Sequence, residues 1–120
     1  MKPSERTSED YLQDILDYVG KAERFMASAC DASALADDEK TLMAVVRALE
    51  VIGEAAKHIP QAFRAKHPAV PWRGMTGMRD KVVHAYFGVD AAVVWRTVKE
   101  DLPLVRETVQ ALVPRSGDSG

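Results

Sequence analysis

Four hydrogen-bonding side chains fall within eight residues of the stretch "GMRDKVVHAYFG": Arg79, Asp80, His84 and Tyr86. An α-helix advances about 100° per residue, so positions four apart share a face. Asp80 can therefore reach His84, accept its Nδ1 hydrogen, fix the tautomer and leave Nε2 free to take a proton. Arg79 offers a planar cation with several donors, a shape suited to phosphate. Tyr86 follows Arg79 by two turns on the same side. The plainer readings are a histidine packed beside an aromatic ring and a tyrosine whose hydroxyl finds one partner. Arg79 and His84, however, are five positions apart, about 140° around the axis. One regular helix does not aim both at a small target. Two copies related by a two-fold axis bring the arginine of one toward the histidine of the other, so a site at a homodimer interface is expected.

The charge pattern points the same way. The 120-residue chain has a net charge of −2, yet between Lys57 and Lys81 six basic residues (Lys57, Arg64, Lys66, Arg73, Arg79, Lys81) stand against one acid, Asp80. That segment carries +5 and the remainder −7. A local positive field suits phosphate binding, the alternative being a solvated basic loop. Trp72 and Trp95 have the chemistry of base-stacking platforms, but a helix start and an apolar stripe make them packing residues.

A second polar set, Glu50, Glu54 and His58, recurs at four-residue steps, with Arg47 just before it. Carboxylate bundles that hold two irons repeat a Glu-x-x-His pair on two helices. Only one set occurs here, with different spacing, so no metal and no cofactor are expected. Arg47 and Glu50 read as a helix-surface pair, and Glu54 as a support for the polar cleft. The single cysteine, Cys30, has no intramolecular partner, which excludes a disulfide framework and a cysteine metal site.

The elements that must position these residues are helical, and no convincing strand is found. The length fits one domain: a flexible N-terminus over residues 1–7, a helical domain over 8–113 and a disordered tail over 114–120. A first helix is expected from about Ser8 to Ala29, capped by Thr7 or Ser8, with Leu12, Ile15, Leu16, Val19, Ala22 and Met26 on one face. The polar break "CDASALADDEK" separates it from a second, antiparallel helix over about Asp38 to Ile59, closed by Pro60. Gly53 stands in its middle, where close approach of another backbone offsets the cost of glycine. "QAFRAKHPAVPW" reads as a short connecting helix interrupted by Pro68 and Pro71. A third main helix follows from Arg73 or Thr76 to Phe87, with Met78, Val82 and Val83 in the core and Gly88 as a C-cap followed by the apolar contact Val89. Asp90 caps the last helical region, in which Pro103 forces a kink or a fresh start after Asp101. The fold class is all-α: an up-and-down bundle of four main helices plus a short connecting one. "MKPSERTSED" contains no apolar leader core and no run spans a bilayer, so the expected compartment is the cytoplasm, with no membrane partner.

Arg79, four residues, His84, one residue and Tyr86 together match the R-x4-H-x-Y motif of HEPN-domain proteins. The blocks "DEKTLMAVVRALEVIGEAAKHIP", "VPWRGMTGMRDKVVHAYFGVD" and "VWRTVKEDLPLV" resemble, in the same order, those of HepT-like proteins, the toxin half of HepT–MntA toxin–antitoxin modules. The resemblance covers roughly residues 9 to 113. It implies a HEPN-like helical homodimer and a type VII toxin with metal-independent endoribonuclease activity on RNA (tRNA or mRNA). Arg79 and His84 become the catalytic pair, Asp80 and Glu54 orienting supports, and Arg73 and Lys81 RNA contacts. Tyr86 corresponds to the tyrosine that a cognate MntA-like nucleotidyltransferase antitoxin modifies with AMP. Asp80 departs from the asparagine often found in relatives; an acid there orients His84 but adds negative charge beside phosphate. The competing function is a non-catalytic HEPN module that binds a nucleotide or RNA, or only docks its partner.

Overall fold

Side-chain caps begin most of the helices, and Pro60 follows the end of the longest one. The computed structural model describes residues 6–86 and 90–113, with the backbone alone for residues 79 and 81–86. Among the described residues every regular element is helical.

Helix α1 (Ser8–Met26) starts at Thr7. The Thr7 N–H donates to the Asp10 carboxylate at 2.9 Å, and the Asp10 N–H donates to the Thr7 hydroxyl at 3.2 Å, a reciprocal cap that satisfies two otherwise orphan donors. Its buried face, Leu12, Ile15, Val19, Ala22 and Met26, follows the apolar spacing of the sequence. The stretch after it, expected as a plain polar break, holds a further short helix, α2 (Ala32–Asp37). Asp31 accepts from the Ala34 N–H at 2.8 Å, and Leu35 is fully buried. One cap and one core anchor suffice for a six-residue helix that packs on its neighbours, and periodicity cannot reveal a helix so short.

Helix α3 (Glu39–His58) begins at Asp38, which accepts the Thr41 N–H at 3.1 Å and the Thr41 hydroxyl at 2.7 Å. It ends at Ile59, whose extended backbone is the conformation that a following proline imposes. The ring of Tyr11, near the start of α1, stacks on His58, at the end of α3, with centroids 4.9 Å apart. The two helices are therefore antiparallel, and they form the largest interhelical contact among the described residues.

Helix α4 (Gln61–Lys66) is the short connection, and α5 (Trp72–Tyr86) follows after Pro68 and Pro71. Gly53 is buried on α3, the helix against which α5 packs. Residues 87–89, with the expected C-cap at Gly88, and residues 114–120 lie outside the described residues.

Asp90 caps α6 (Ala91–Arg96), accepting from the Ala92 N–H at 3.0 Å. A π-helical turn over Thr97–Asp101 then joins α6 to α7 (Leu102–Gln110). The reason is Pro103, which offers no N–H to the carbonyl four residues back and whose ring crowds it. The wider turn just upstream absorbs the clash: Leu102 N–H donates to the Thr97 carbonyl, five residues back, and the buried Thr97 hydroxyl donates to the Val93 carbonyl at 2.8 Å. The backbone stays helical through Asp101, so a π turn stands where a kink or a fresh start was expected.

Leu49 and Ile52 of α3, Leu12 and Ile15 of α1, Met75 of α5 and Leu102 of α7 are inaccessible to solvent or nearly so and belong to one core. Arg106 of α7 forks onto both carboxylate oxygens of Glu23 on α1, one bond being 3.0 Å long, and ties the end of the bundle to its first helix.

Candidate active site

Helix α5 buries one stripe and presents the opposite one. Trp72, Met75 and Met78 turn inward, whereas Arg73, Gly74 and Asp80 are exposed. The helix is continuous from Trp72 to Tyr86, so all four positions of the polar motif share one element. The side chains of Arg79, Lys81, His84 and Tyr86 lie outside the described residues, as do those of Val82 and Val83. Glu54 is half-buried on α3, the partner helix of α5.

The other polar residues divide by what they touch. Arg47 and Glu50 form the expected surface pair, three residues apart with 3.9 Å between charged atoms. His58 is engaged with Tyr11. His67 tilts over Phe63, with centroids 4.6 Å apart, while its carbonyl accepts the Trp72 indole N–H at 2.9 Å. Trp72 is only 8% exposed and serves as packing. Trp95 is half-buried, with the Lys99 ammonium 5.1 Å from its ring centroid. Among the described residues no three histidine, cysteine or acidic side chains gather where they could hold a metal ion.

The charge concentrated between Lys57 and Lys81 acquires a shape here. Arg64 of α4 and Arg73 of α5 line one open cleft of about 520 Å³, together with Gln61, Trp72 and Thr76. Arg73 was singled out from the sequence. Arg64 was only counted in the basic segment, and the sole sequence signal for pairing them was that the positive charge spans two consecutive helices.

These features define a class: a small helical bundle in which one continuous helix carries an arginine, a histidine and a tyrosine at fixed spacing beside a basic cleft. Residues 15–112 match the family model described as "Ribonuclease HepT-like", and the chain belongs to that family. It is similar to a probable ribonuclease HepT of Thermococcus cleftensis, with 50% identity over 107 residues covering 89% of this chain and 96% of the relative. A putative RNase of Methanocaldococcus jannaschii is 38% identical over 107 residues, 89% of this chain and 97% of its own. A putative RNase of Caldanaerobacter subterraneus subsp. tengcongensis is 44% identical over 72 residues, 60% of this chain and 64% of its own. No solved structure matches the chain significantly. Among the described residues no helix is long and apolar enough to cross a membrane.

Proposed function

We propose that this HepT-like chain is a metal-independent endoribonuclease, the toxin of a type VII toxin–antitoxin pair, acting in the cytoplasm as a homodimer. His84 takes the proton of a ribose 2′-hydroxyl. The oxygen attacks the adjacent phosphorus, the bond to the 5′-oxygen breaks, that oxygen is protonated, and a 2′,3′-cyclic phosphate remains. Arg79 stabilises the charge that builds on the phosphoryl oxygens. Asp80 orients His84, Glu54 supports the cleft from α3, and Arg73 and Lys81 hold the RNA backbone. A cognate nucleotidyltransferase antitoxin silences the site by attaching AMP to Tyr86, since a bulky anionic group beside Arg79 and His84 occupies the cleft and repels RNA.

The observation that carries this reading is the family match, which contains the whole R-x4-H-x-Y segment, joined to a basic cleft at the start of the same helix. The test is RNA cleavage in excess chelator by the wild type, Arg79→Ala and His84→Ala. Loss of a general base lowers such a rate by about 10²–10⁴-fold, and a loss of that order is expected for His84→Ala. Equal cleavage by mutant and wild type, or none by either, leaves a non-catalytic binding or docking module instead. The antitoxin arm is read by mass spectrometry after coexpression: AMP on Tyr86 supports it, and an unmodified Tyr86 removes it.

A further inference from the structure

We infer that the cleft between α4 and the start of α5 is a phosphodiester-binding subsite, in which Arg64 and Arg73 grip a backbone phosphate of RNA away from the bond being cut. This deepens the ribonuclease reading and rests on it.

The chemistry of the lining selects an anion. Arg64 and Arg73 both face the cleft, and among the described residues no carboxylate lines it. Two other clefts formed by described residues differ: one carries Glu23, the other Glu100 and Asp101. In a chain of net charge −2, a cleft with two guanidinium groups and no acid is a local exception.

Arg6 and Arg106 each engage a carboxylate, whereas among the described residues Arg64 and Arg73, like Arg24 and Arg96, make no ion pair. The Arg64 Nε is buried and has no hydrogen-bond acceptor among the described residues. A buried donor without an acceptor is costly. A phosphate entering the cleft can accept from the outer N–H groups of the guanidinium forks, and it reaches the Arg64 Nε only if that side chain shifts.

The rest of the lining gives shape rather than competing charge. The Trp72 N–H is committed to the His67 carbonyl, so the indole serves as a packed wall. The Thr76 hydroxyl donates to the Arg73 carbonyl at 3.2 Å and keeps lone pairs for a ribose hydroxyl. The cleft is open, which fits a strand passing through it better than an enclosed nucleotide. Arg73 and Thr76 precede Arg79 by six and three residues on α5, about 9 and 4.5 Å along the axis. Arg73 and Arg79 also stand about 120° apart around the axis, so a strand that meets both has to cross the helix surface between them. Contacts of this kind hold the backbone in register without reading bases.

The test uses full-length His84→Ala protein, so that RNA is bound and not cut. Fluorescence anisotropy measures Kd for labelled ribo-oligonucleotides of two and six nucleotides at several salt concentrations. The six-mer is expected to bind more tightly than the dimer. Arg73→Gln and Arg64→Gln are each expected to remove most of that gain, weaken the six-mer by about tenfold and lower the slope of log K against log salt by about 0.7. Arg73 is exposed, so its variant carries the test even if Arg64→Gln melts early. Unchanged six-mer affinity in Arg73→Gln, an equal loss for both lengths, or no RNA binding by the parent protein would overturn the subsite. A wild type that cuts no RNA defeats the ribonuclease reading alone, since a length-dependent loss in the two variants still supports the cleft.

Discussion

Single residues in this chain act mainly through hydrogen bonds at helix starts and through the rings they touch. The Asp10 carboxyl is held below its ordinary value of 3.8, chiefly by the Thr7 backbone N–H and then by the Thr7 side chain. Asp38 is likewise held low, first by the Thr41 hydroxyl and then by its N–H. A carboxyl with a depressed folded-state pKa adds stability above the unfolded value, and that stability is lost as pH falls through the folded one. Helical circular dichroism followed through an acid titration should therefore show destabilisation beginning below about pH 4. Asp38→Asn keeps an acceptor at the cap but cannot titrate, so its acid limb should be shallower; an unchanged limb would sink this account. The motif at this scale was readable from residue types and spacing. The task of His58 was not, because Tyr11 lies far from it in sequence and only the antiparallel packing brings their rings together.

At the scale of elements, α5 carries a cost that nothing among the described residues explains. Gly74 and Gly77 sit inside the helix, and among the described residues a Cβ at either would meet nothing within 4 Å. Glycine there is worth about 0.8–1.0 kcal/mol less than alanine. Gly74→Ala and Gly77→Ala should each raise unfolding stability by roughly 0.5–1 kcal/mol in denaturant titrations at fixed protein concentration. A loss of stability would mean that another backbone approaches this face. Helix starts were readable because caps are local: Thr7 and Asp90 cap where the sequence calls for it, and Asp38, expected as the first residue of its helix, is the cap just before it. The short α2 and the π turn were not. The first depends on the burial of Leu35, and the second on how a continuous helix accommodates Pro103 while Val98 and Leu102 stay in the core.

At the scale of the whole molecule, the five-residue step between Arg79 and His84 has its consequence. If the catalytic pair is shared between two copies, mixing Arg79→Ala with His84→Ala protein creates heterodimers with one intact site. Each variant alone is then inactive, and with random exchange the mixture should recover roughly a quarter of wild-type cleavage. Sedimentation of the wild type should give a dimer. No recovery in a mixture shown to exchange subunits would place the pair within one protomer.

The sequence by itself determined that the described residues are all-helical and where most of the helices begin and end. Each of these follows from interactions a few residues long: side chains capping N–H groups, prolines ending runs, apolar side chains recurring every three or four positions. Only the tertiary structure decided that Arg64 and Arg73 share one cleft, that Glu23 pairs with Arg106, and which carbonyl the packed Trp72 indole bonds to. The first and last of these depend on the direction α4 takes after Pro60. Charge counted along a chain has no shape until packing turns two helices toward the same space.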